Sequence, residues 1–169
     1  MPIDQRATPA MVRALVVAAM LATLAACGAG GGRTQAGLIK RINPPSASIE
    51  GVSAGSAGPV RLTLRLQNFS TVPTRFGRIE ADLAIDGRPA GRLVLDAGIE
   101  IPGLSSDVVP AEAGLDPAAR ARLDAATAAG AAVAYRLEGK IGTTDPADTW
   151  NFTFDSRLNP VPGRAGEFR

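Results

Sequence analysis

The most regular stretch of the chain alternates apolar and polar residues. Val60, Leu62, Leu64 and Leu66 interleave with Arg61, Thr63, Arg65 and Gln67. A side-chain period of two predicts a strand over 60–68, with one face in a core and one in water. The period returns over 76–86, where Ile79, Ala81, Leu83 and Ile85 oppose Arg78, Glu80 and Asp82. Asp86-Gly87 then predicts a two-residue hairpin, because a type I′ turn needs positive φ at both central residues. The chain returns along 90–95. Residues 98–106 carry Ile99, Ile101 and Pro102, and 107–112 form a short strand with Val108 and Val109. At Asp116 the texture changes. Asp116 can cap a helix, Pro117 suits its first turn, alanines fill it and Gly130 stops it. Leu115, Ala119, Leu123 and Ala126 give this helix a weak apolar face, suited to packing across the opening of a sandwich. Residues 131–141 place Val133, Tyr135, Leu137 and Ile141 on one side of a strand. After a turn at Asp145-Pro146, residues 149–158 close the pattern with Trp150, Phe152, Phe154 and Leu158 inward, as core rather than a stacking platform. Upstream, 38–50 predicts a first strand broken at Pro44-Pro45, with Ala47 and Ile49 inward, then a Gly/Ser loop over 51–59. About seven strands and one inserted helix predict a mainly β, two-sheet sandwich.

The start of the chain follows a different rule. Arg13 precedes an apolar run over 14–26, shorter than the roughly 20 residues a transmembrane helix needs. This is the layout of a signal peptide, and either Met1 or Met11 suits its beginning. The run ends in Leu24-Ala25-Ala26-Cys27, which resembles the bacterial lipobox at all four positions. The resemblance implies cleavage between Ala26 and Cys27, diacylation of the Cys27 thiol, and a third chain on the new amine. One acyl chain anchors only marginally, whereas two or three hold firmly. Gly28 stands where an Asp would mark inner-membrane retention, so the expected place is the outer membrane, facing the periplasm. Residues 28–37 are Gly-rich and lack the Lys-Ser/Thr ending of a phosphate loop, which predicts a flexible tether. The expected organisation is a signal peptide over 1–26, a tether over 27–37, a domain over 38–162 and a C-terminal tail over 163–169.

Composition narrows the chemistry. Of 169 residues 46% are apolar, enough for a core, but only 4% are aromatic, so Ala, Val, Leu and Ile must fill it. The 18 basic and 16 acidic residues are interspersed, and a net charge of +2 without a basic block gives no nucleic-acid surface. Cys27 is the single cysteine, so no intramolecular disulfide can form. The absence of histidine removes the commonest zinc ligand and the usual general base near neutral pH. No metal, cofactor or catalytic residue is expected. The carboxylate pairs Glu80/Asp82 and Asp96/Glu100 alternate along strands, and such positions are solvated rather than poised for acid–base work. Ser105 and Ser106 have no histidine partner, and Lys40 and Lys140 are the only lysines. Arg61 and Arg65 read as a wetted face. Asn68-Phe69-Ser70 and Asn151-Phe152-Thr153 match glycosylation sequons, read as coincidental in a bacterial lipoprotein.

Three successive stretches carry a further likeness. Leu62-Thr-Leu-Arg-Leu-Gln-Asn68, Ile79-Glu-Ala-Asp-Leu-Ala-Ile-Asp-Gly87 and Ile99-Glu-Ile-Pro-Gly-Leu-Ser105 resemble the late embryogenesis abundant type 2 domain, also called the water-stress and hypersensitive-response domain. The helix, Tyr135-Arg-Leu-Glu-Gly139, and the closing strand with its prolines continue the order to Pro162. Asn68-Phe69-Ser70 stands where the family often has Asn-Pro-Asn. The resemblance implies an immunoglobulin-like, fibronectin-III-like sandwich linked to desiccation or other stress, with no catalytic site. The expected protein is a monomeric, membrane-anchored envelope lipoprotein with a protective or accessory role. The alternative is a periplasmic binding module, holding an acyl chain between its sheets or a partner on an edge strand.

Overall fold

Among the described residues nine elements follow one another: β1 (Ser46–Ser53), β2 (Val60–Gln67), β3 (Thr74–Ile85), β4 (Arg88–Ile101), β5 (Ser106–Leu115), α1 (Pro117–Ala129), β6 (Val133–Asp145), β7 (Ala147–Leu158) and β8 (Glu167–Phe168). They are drawn from a computed structural model that describes residues 39–55 and 58–169. The expected signal peptide, Cys27 and the tether lie outside the described residues.

The alternation in β2 becomes a buried row of Val60, Leu62, Leu64 and Leu66. In β3 the register slips between Phe76 and Arg78, so Phe76 and Ile79 both face inward although their spacing is odd. A bulge of this kind shifts the side-chain phase of a strand. Asp86 and Gly87 take φ of 48° and 72°, the pair of positive values the hairpin requires. In α1 the Asp116 carboxylate accepts from the Ala118 N–H at 3.0 Å, and left-handed Gly130 ends the helix. Such an N-cap contributes about 1 kcal/mol. Ala119 and Leu123 are its buried residues.

All eight strands pair antiparallel in one sheet, in the order β7-β6-β3-β4-β5-β2-β1-β8. Two separate sheets and about seven strands were the expectation. The strands are joined because β4 and β5 pair, but only at Gly91↔Leu115, Arg92↔Gly114 and Leu93↔Ala113. The sheet curls so that β1 packs against β6 and β7. A single apolar core fills the inside of the curl. Across it, the Tyr135 hydroxyl accepts from the Ile49 N–H at 3.0 Å and donates to the Ile49 carbonyl at 3.3 Å. Desolvation pushes the Tyr135 phenol up from its ordinary range. Tyr135→Phe should therefore cost about 1–2 kcal/mol, since it leaves a buried N–H without its acceptor. Urea unfolding reads this directly, and an unchanged midpoint would show that β1 does not need the link.

The expected tail over 163–169 is not a tail. β8 pairs with β1 through Val52↔Phe168 and Ser53↔Glu167, and Phe168 is 1% exposed. One apolar residue between Glu167 and Arg169 carries no periodicity, which hid it among Pro and Gly. The inward placement of Phe152 and Leu158 holds, with Phe154 half-buried against the core. Trp150 is half-buried and does not join the core.

Candidate functional site

β2 ends at Gln67, and three loops meet beyond it: 39–45, 68–73 and 102–105. Their hub is Asn68, which is 1% exposed. Its Nδ2 donates toward the carbonyls of Val72 (2.9 Å), Ile101 (3.0 Å) and Pro102 (3.1 Å). Its Oδ1 accepts from the Ser70 N–H at 2.9 Å and the Thr74 hydroxyl at 3.3 Å. Asparagine alone offers two amide donors and two acceptor lone pairs at this length. A strand is thus ended by a side chain that satisfies the backbone of two neighbouring loops.

The next residues tie down the entering chain. Ser70 Oγ accepts from the Asn43 N–H at 3.0 Å, and Thr71 Oγ1 accepts from the Arg41 N–H at 2.9 Å. Thr71 Oγ1 also donates to the Ile39 carbonyl at 2.8 Å. Leu104 N–H donates to the Ser70 carbonyl at 2.9 Å. Gly103 makes the approach possible, since a Cβ there would fall on the Thr71 backbone.

This lacing uses up the polar groups and leaves apolar side chains outside. Leu104 is 67% exposed, Ile39 69%, Phe69 46% and Ile42 44%. The other exposed large apolar residues among the described ones, Val94 and Val108, lie on strands. Leu104 also has φ of 59°, a left-handed conformation that costs a side chain with Cβ about 1–2 kcal/mol. Lys40 and Arg41 are exposed in the same loops. No period announces this cluster. Phe69 and Leu104 read in sequence as connection residues, and the only hint was a polar run, Asn68, Ser70 and Thr71, directly after a strand.

The chemical candidates are scattered. Cys27 and Ala26 lie outside the described residues. Glu80 is held by Arg78 and Arg92, each at 2.7 Å, and these hydrogen bonds keep its carboxyl below the usual carboxylate range. Its partner in the pattern, Asp82, is exposed. Glu100 lies 3.8 Å from Arg75, and Asp96 is exposed. Arg61 is exposed, while Arg65 bonds Glu50 at 2.7 Å and Ser106 Oγ at 3.0 Å. That bond holds the Glu50 carboxyl low. Ser105 Oγ donates to the Gly103 carbonyl at 3.3 Å, and Lys140 is exposed on β6. Of the two sequons, Asn151 is exposed and Asn68 is enclosed. Among the described residues no group of three or more carboxylates and thiols gathers to hold a metal ion, and no helix is long and apolar enough to cross a membrane.

The interior leaves little room for a ligand. The apolar void between Leu62, Leu83, Leu123 and Tyr135 measures about 10 Å³. A void of that size takes at most one water, whereas ligand sites run to about 300–1,000 Å³. That void does not admit an acyl chain. A shallow open groove of about 670 Å³ lies where β4 parts from β5, lined by Leu95, Pro110, Ala111 and Phe168 with Arg61 and Glu112.

Residues 63–158 match a family described as late embryogenesis abundant protein. The solution structure of a protein from Arabidopsis thaliana is similar, with 11% identity, a TM-score of 0.53, and 72% of this chain and 85% of that one covered. A crystal structure from Archaeoglobus fulgidus aligns at 11% identity and a TM-score of 0.40, over 72% of this chain and 98% of that one. No curated protein matches the chain.

Proposed function

Because the chain belongs to the late embryogenesis abundant family, matched over 63–158, we propose that it is a lipid-anchored envelope protein with a non-catalytic, protective role under water stress. The family match carries this reading. It takes the curled sheet as an immunoglobulin-like sandwich, its two leaves joined at the β4–β5 pairing. The anchor rests on Leu24-Ala25-Ala26-Cys27, the site on Cys27 and the outer-membrane address on Gly28. The domain works as a monomer, without cofactor, metal or nucleic acid. The scattered, ion-paired carboxylates favour this over an acid–base enzyme.

Metabolic acyl labelling with membrane fractionation tests the anchor. The wild-type chain should take up label and sediment with membranes, and Cys27→Ser should lose both. A variant that keeps its label and its membrane attachment overturns the anchor. Deleting the gene should lower survival after drying, and equal survival counts against the protective role.

A further inference from the structure

We infer that the loop end of the sheet lies on the lipid surface, with Ile39, Ile42, Phe69 and Leu104 against the acyl boundary and Lys40 and Arg41 among anionic headgroups. This deepens the reading above and rests on acylation of Cys27. The occupant follows from where the chain enters. Ile39 follows Cys27 by 12 residues. Twelve residues reach at most about 43 Å even when fully extended. An anchored Cys27 therefore joins the domain at this end, where the chain enters it. The Asp86-Gly87 hairpin stands at the far end of β3, 12 residues or about 40 Å away.

The composition of the loops fits that surface. Four large apolar side chains stay in water although the hydrogen bonds beneath them are complete. Leu104 is the sharpest case, an exposed leucine in a backbone conformation that glycine would hold without strain. It adds nothing to the core. Exposed apolar residues beside cations are what a membrane interface selects. The carboxylates at this end, Glu100, Asp107, Asp145 and Asp148, belong to strands rather than to the three loops; Glu100 faces Arg75, and among the described residues none pairs with Lys40 or Arg41.

The test uses the processed, acylated chain in vesicles of phosphatidylethanolamine and phosphatidylglycerol carrying brominated acyl chains. Trp150→Phe removes the native tryptophan. In that background Phe69→Trp reports on the loop end and Arg88→Trp on the far hairpin. Bromine should quench the tryptophan at position 69 at least twofold more than that at 88. Adding Leu104→Gly, which relieves strain and so keeps the fold, should reduce quenching at 69. Equal quenching at both positions, or none at either while the chain floats with the vesicles, overturns the docked face and leaves the anchor standing. A wild-type chain that does not float overturns both. Sedimentation of a dimer without vesicles, with position 69 shielded in it, overturns the lipid surface in favour of a second copy.

Discussion

Asn68→Ala should destabilise the domain by about 3–5 kcal/mol, a large effect for one exchange of a polar side chain. The cost is not chiefly the carboxamide-sized space left behind. It is the backbone left without partners: the Val72, Ile101 and Pro102 carbonyls lose a donor, and the Ser70 N–H and Thr74 hydroxyl lose an acceptor. Water entering the opened loops recovers part of this, so the sum stays below the total for five separate bonds. Thermal unfolding should show a loss of roughly 10–20 °C. A loss near 1 kcal/mol would mean that the loops find other partners and that Asn68 is not their hub. Asn68→Asp separates chemistry from volume. Its carboxylate would face three carbonyls, so the folded state raises its pKa above the ordinary value near 3.9. The folded chain then binds the proton more tightly than the unfolded one. The deficit is smallest in acid and grows as pH rises from the unfolded to the folded pKa. A pH-independent deficit would sink the argument from the facing carbonyls.

Phe168→Ala should cost about 3–5 kcal/mol, the range for a fully buried aromatic ring. Phe168 is 1% exposed and closes the core beside β1. The backbone around it is equally constrained: Ala54 N–H donates to the Gly166 carbonyl at 2.8 Å, and Gly166 has φ of 75° with no room for a Cβ against the Ala54 carbonyl. Urea unfolding measures the loss. A change under about 1 kcal/mol would return residues 163–169 to the status of a tail.

What the sequence revealed and concealed follows from the range of each interaction. β2, the Asp86-Gly87 hairpin and α1 are written in neighbouring residues, and each appears where its pattern places it. β1 runs on through Gly51–Ser53 past a register shift after Ile49, where a glycine and a serine read as loop. β4 runs unbroken over 14 residues, although Gly91 and Gly98 punctuate it. β8 depends on a partner more than 100 positions away, which no local period can signal. The loop cluster was hidden for the same reason. Asn68 ends a strand in sequence, and only the fold brings Ile101 and Pro102 to its amide.

The short pairing of β4 with β5 also divides the sheet. Four strands lie on each side of it, and only three residue pairs carry the ladder across. Backbone bonding alone would let each half open as its own cooperative unit. The shared interior, where β1 meets β6 and β7, should make the halves melt together. All-or-none unfolding is thus expected from the packed side chains and not from the ladder. A solvent that loosens the interior while sparing amide bonds should split one transition into two along this seam.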